Sequence, residues 1–139
     1  MSVAEQRSVI QRWIAAWNAR NLDAAVELLA EEYVRHDANL PEVVGPLAQR
    51  EFLAGLFMAF PDLDLQPERI ITQENLVVVH FTVRATHRGE FMGMPATGRE
   101  VMIQGVDIFR LIGDKIAEQW VVMDVLGLMQ QLGAVSIPT

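Results

Sequence analysis

The sequence contains no cysteine. Disulfide staples and thiolate chemistry are therefore excluded, and a disulfide-free domain of the cytoplasm is the expected setting. Basic residues are also short, 11 Lys and Arg against 18 Asp and Glu, for a net charge of -7. That sign excludes the phosphate neutralisation on which nucleic-acid binding depends, and it opposes an anionic membrane surface. No apolar run approaches the ~20 residues that cross a bilayer. The opening "MSVAEQRSVI" lacks the basic start and apolar core of a secretion signal. There is no repeat, no low-complexity tract and no linker. G-x-S-x-G, P-loop and G-x-G-x-x-G motifs are absent too. The three histidines, His36, His80 and His87, show no metal-ligand spacing, so no metal site is expected.

What remains is a chain of 139 residues, 51% hydrophobic. It has the size of one domain over residues 1–139, enough to bury about two-thirds of its unfolded surface. Ser2 and Glu5 form an S-x-x-E capping box, and Val9, Ile10, Trp13, Ile14 and Trp17 then follow at helical spacing. "NLDAAVELLAEEYVRHD" reads as a second helix begun by Asn21 and fraying from Tyr33 to Asp37. "LAQREFLAGLFMAF" gives a third, ended by Pro61-Asp62. From there the period changes to two. "LDLQPERIITQE" carries Pro67 and suits a sheet edge, and Glu74-Asn75 turns it into "LVVVHFTVRATH". "VMIQGVDIFRLI" and "KIAEQWVVMD" flank a hairpin turn at Gly113-Asp114, and "VLGLMQQLGA" closes the chain as a short helix. Helices first and an antiparallel sheet second indicate an α+β domain.

Strand alternation sorts the polar residues. On "LVVVHFTVRAT", Val77, Val79, Phe81, Val83 and Ala85 form a core face; Val78, His80, Thr82, Arg84 and Thr86 face either solvent or a polar pocket. Asp107 shares its face with Val101, Ile103, Gly105 and Phe109, which predicts a buried carboxyl with a partner. Asp124 falls on one alternation with Ile116, Glu118, Trp120 and Val122. Burial beside Trp120 would raise its pKa into the range of an acid/base catalyst; exposure would make it the N-cap of the last helix. His36 either points into a cavity mouth or ends a helix in solvent. Trp17 and Phe57 belong to the core or to the apolar wall of a cavity. The long connection "ATHRGEFMGMPATGRE" is low in charge for a solvated loop. In it, Gly89 and Gly93 permit close backbone approach, Phe91, Met92 and Met94 supply adaptable apolar surface, and His87 suits a structural hydrogen bond.

"WNARNLD", "AFPDLDL", "ATHRGEFMGMPATGRE", "DIFRLIGDKIAEQW" and "MDVLGLMQQLG", in this order and spacing, resemble the SnoaL-like polyketide cyclases of the nuclear transport factor 2-like superfamily. The resemblance covers nearly the whole chain. It implies a cone-shaped, curved antiparallel sheet packed on the N-terminal helices around a central pocket. It also implies a homodimer or homotetramer, a small hydrophobic or polyketide-like ligand, and acid/base catalysis without a cofactor. The family's acid/base aspartate matches Asp124, with Asp107 as a second carboxyl beside it. His36, His80, Arg84, Trp17, Phe57 and Trp120 are then the expected pocket residues, with Arg84 or His36 steadying enolate charge. The chain departs from the anthracycline-type cyclases at Asp107, where they carry histidine, and at Gly105, where they carry glutamine; the glycine should open space in the cavity. Two alternatives stand beside ring closure. One is an epoxide hydrolase of the limonene type, whose R-x-D motif matches Arg84 to Thr86 with threonine in place of the carboxylate. The other is a non-catalytic binding module.

Overall fold

The computed structural model describes residues 1–136. Helix α1 spans Val3–Asn18, and the expected capping box is present at its start, Ser2 and Glu5 each accepting the other's backbone N–H. Helix α2 spans only Leu22–Glu27, capped by the Asn21 side chain. Strand β1 follows at Leu29–Asp37 and a two-residue strand β2 at Val43–Val44. Helix α3 spans Pro46–Ala59; strands β3 to β6 span Asp64–Gln73, Leu76–Thr86, Glu100–Ile112 and Lys115–Met123; helix α4 spans Val125–Gln131.

The strands form one open, curved sheet in the order β2-β1-β6-β5-β4-β3. All neighbours are antiparallel except β1 and β6, which run parallel. The edge position expected for the strand containing Pro67 is found, with a bulge at Pro67 to Arg69. The inner face carries the core. Trp13 packs against Trp17 with the rings tilted by 41° and meets the edge of Phe109, both at 4.8 Å between ring centroids, which ties α1 to β5.

Two expectations of the element reading fail, both through pairing between strands. The second helix ends at Glu27, and residues 29–37 are strand. "LAEEYVRHD" fits a helical stripe, yet Leu29 and Val34 to Asp37 pair with β6, and strand geometry then puts Tyr33 and Arg35 inside. The second failure is on β6. Arg110 pairs with Glu118 but Leu111 pairs with Ile116, so Ala117 is an extra residue and both Ile116 and Ala117 are buried. The bulge shifts the alternation. Gln119 and Val121 now face inward, while Glu118, Trp120 and Val122 face out.

Candidate active site

Strand register assembles the site. Arg35 on β1 pairs with Gln119 on β6, Gln119 pairs with Phe109 on β5, and Asp107 lies two residues before Phe109 on the same inner face. Arg35, Asp37, Asp107 and Gln119 thereby line one side of a cavity of about 80 Å³. Its other walls are mainly apolar: Phe60 at the end of α3 and Leu63 after it, Phe81 and Val83 on β4, Ile103 on β5, and Trp17 on α1.

Asp107 is the buried carboxyl, only 2% exposed. Gln119 Nε2 donates to its Oδ1 at 3.0 Å, and the Tyr33 hydroxyl donates to Gln119 Oε1 at 2.6 Å. Burial disfavours the charged form and pushes the Asp107 pKa up to about 7; the Gln119 hydrogen bond and the charge of Arg35 act the other way, and Asp37 adds to the rise. Arg35 is 3% exposed, with its guanidinium 4.5 Å above the Phe52 ring and Nη2 3.4 Å from Asp37 Oδ2. Its Nε and Nη1, like Trp17 Nε1, have no protein acceptor. A buried cation with two idle donors is expensive, and an oxygen atom carrying negative charge would satisfy them.

The expected site residues divide sharply. Asp107 and Trp17 line the cavity. Asp124 does not: it is exposed, and its Oδ1 accepts from Gly127 N at 2.9 Å as the N-cap of α4. The cause is the β6 bulge, which ends the strand with its inward side chains at Gln119 and Val121. Trp120 goes with Asp124 to the outer face, where it stacks on His36 at 5.6 Å. His36 bridges Glu118 at 2.7 Å and Glu42 at 3.0 Å there, away from the cavity mouth. Its hydrogen bond holds the Glu118 carboxyl below the ordinary value, burial opposing and Arg110 assisting. His80 also lies outside, between Arg69 at 2.8 Å and Gln104 at 3.3 Å, and Arg84 is exposed. Alternation alone explains both, since Val79, Phe81, Val83 and Ala85 take the inner face. Phe57 is core, packed edge-on behind Trp17 at 5.8 Å.

Thr86, aligned with an epoxide hydrolase carboxylate, instead holds Asp62 through its N–H at 2.7 Å and its hydroxyl at 2.6 Å. Gly105 opens no space, because the Phe81 ring already fills it; an added Cβ would lie 2.6 Å from Phe81 Cζ. The long connection sits at the mouth. Phe91 and Met92 line the cavity, and Phe91 and Met94 exchange backbone hydrogen bonds of 3.0 and 2.9 Å around a tight turn. Met92 and Gly93 have φ of 52° and 78°, the left-handed pair of a two-residue hairpin. His87, fully buried, meets Thr97 Oγ1 at 3.0 Å and stacks on Phe60. Among the described residues no group of three or more His, Asp or Glu is arranged to hold a metal ion, and no helix is long and apolar enough to cross a membrane.

The family model for SnoaL-like polyketide cyclases matches residues 7–132. The chain belongs to that family. It is 30% identical to the aklanonic acid methyl ester cyclase DauD of Streptomyces sp. (strain C5) over 94% of this chain and 83% of that one. It is 30% identical to the cyclase of the same description, DnrD, from Streptomyces peucetius, over 94% and 92% respectively. Its fold superposes on AclR of Streptomyces galilaeus, a proposed hydroxylase, with a TM-score of 0.87 and 32% identity, covering 97% of this chain and 100% of that one.

Sequence reasoning missed Tyr33, Arg35, Asp37 and Gln119 in this SnoaL-like cyclase. The first three were legible as a period-2 row, Y-x-R-x-D, had "EEYVRHD" been read as strand. Gln119 was hidden by a bulge that leaves no mark in the sequence.

Proposed function

We propose that Asp107 is the acid/base of an intramolecular aldol-type ring closure on a polyketide-like ester. The carrying observation is a neutral-range carboxyl beside the idle donors of Arg35 in an apolar cavity. Ionised Asp107 takes a proton from the carbon next to a carbonyl, and the enolate oxygen is held by Arg35 Nε and Nη1 with Trp17 Nε1. The enolate carbon bonds to a second carbonyl carbon of the same chain, whose oxygen becomes an alkoxide. Asp107 returns its proton there. No electron leaves or enters, so the step needs no redox cofactor. The apolar walls contribute by holding a flexible chain folded. The relatives' descriptions make a polyketide methyl ester the first substrate to assay. Asp107→Asn should lower kcat about 10²–10⁴-fold with the fold retained; full activity in that variant ends this reading.

A second buried carboxyl, Asp37, supports one other reading, addition of water to an epoxide. Asp37 would take a proton from water, the water oxygen would attack an epoxide carbon, and neutral Asp107 would protonate the oxygen released, giving a diol. Turnover of epoxides to diols separates this from ring closure, which consumes no water.

We also propose self-association through the sheet's outer face, supported by exposed Ile71, Met102 and Val122. The cysteine-free composition supports the cytoplasm as the place of action.

A further inference from the structure

Tyr33 does not line the cavity, yet it ends a buried chain of polar groups that does. Tyr33, Gln119 and Asp107 are 0%, 1% and 2% exposed, so the row is shielded from bulk water. Phenylalanine and leucine would fill the Tyr33 and Gln119 places without needing partners, whereas the polar row, hydrogen-bonded along its length, fixes one arrangement of its groups. An amide side chain has two nearly isosteric orientations. Turned one way, Gln119 offers Nε2–H to Asp107; turned the other, it offers Oε1. The Tyr33 hydroxyl, a donor to Oε1, selects the first.

We infer that Tyr33 is a positioning residue: it locks the Gln119 amide so that Oδ1 of Asp107 is occupied as an acceptor and Oδ2 is the oxygen that exchanges the substrate's proton. The inference rests on the acid/base reading of Asp107. No side chain among the described residues donates to Oδ2. The other groups facing Asp107 are Arg35 and Asp37, also from β1; β4 and β6 present Val79 and Val121 beside it. Tyr33 itself stays protonated, since burial holds its pKa above the ordinary value. It therefore orients and does not transfer a proton.

The chain has one tyrosine, which makes the test clean. Asp107 is titrated directly by NMR in protein carrying ¹³C-labelled aspartate, with no substrate required. In Tyr33→Phe the amide is released, the carboxylate loses a secured N–H donor, and the midpoint should rise by about half a unit or more. The acid limb of the kcat/KM profile should move with it, kcat falling about tenfold and KM holding. Uniform 3-fluorotyrosine labelling alters only Tyr33, keeps the fold, and strengthens its donation; the midpoint should then move down. In a Gln119→Leu background Tyr33→Phe should add no further shift. A midpoint unmoved by fluorotyrosine, or a Tyr33→Phe shift that persists without Gln119, overturns the inference. Failure of the parent reading looks different: Asp107→Asn would stay active while the NMR shifts still appeared.

Discussion

Asp107 and Asp124 are the same functional group with opposite circumstances. Asp124 ends a strand in water and satisfies a helix N-terminus; Asp107 sits in the middle of a strand with its charge opposed by apolar neighbours. Their variants should separate accordingly. Asp124→Ala should lose about 1 kcal/mol of stability through the missing cap, with activity preserved, as read by thermal melts and by turnover. Asp107→Asn should lose turnover and also change how stability depends on pH. The folded chain binds the Asp107 proton up to about pH 7, whereas the unfolded chain releases it near the ordinary value of 3.8. The native state therefore holds more protons between those values, and stability falls as pH rises through that window. Urea melts at pH 5 and pH 8 should differ by roughly 2–4 kcal/mol from this source, and Asp107→Asn should flatten the difference. An equal slope in wild type and variant would contradict the burial of this carboxyl.

At the scale of elements, two small irregularities decide where side chains go. The bulge at Ala117 turns Gln119 inward and Trp120 outward. Deleting Ala117 should leave a regular ladder in which Ile116, Gln119 and Val121 keep the inner face, so fold and turnover should persist, which circular dichroism and turnover would report together. The second is the seating of the 87–99 connection on the end of α3, where Arg88 N and Gly89 N donate to Ala59 O at 2.9 and 3.2 Å. A Cβ on Gly89 would lie 2.6 Å from the Met58 carbonyl oxygen, a backbone atom with no freedom to retreat. Gly89→Ala should cost about 1–3 kcal/mol and loosen the cavity mouth. Gly93 has nothing near its missing Cβ and is needed for its φ instead. Sequence reading identified both glycines for one reason; the structure gives them two.

For the whole molecule, the cavity volume sets a condition on function. About 80 Å³ holds a few heavy atoms, whereas sites for drug-sized ligands run to about 300–1,000 Å³. A polyketide ester enters only if the mouth yields, and the Phe91–Met94 hairpin covers it with a single exchanged pair of hydrogen bonds. Phe91→Ala should therefore lower KM for bulky esters more than for small ones, measured as a ratio of kcat/KM across a size series. The outer sheet face gives the second prediction at this scale. Light scattering should find a dimer, and Val122→Asp should yield monomer with the fold retained.

The helix order, the edge strand, both tight turns, the inward row from Val77 to Ala85 and the burial of Asp107 were legible along the chain, because each follows from local periodicity or from a residue's own chemistry. The site was legible only in part. Tyr33, Arg35 and Asp37 belong to a strand whose partner, β6, lies some eighty residues away in the chain, and helix and strand patterns are degenerate over so short a segment. Gln119 reached the cavity through a bulge that hydrogen-bond register creates and side-chain identity does not encode. Composition and pattern settle which residues want to be buried; only pairing between distant strands settles which of two alternating faces they are buried on.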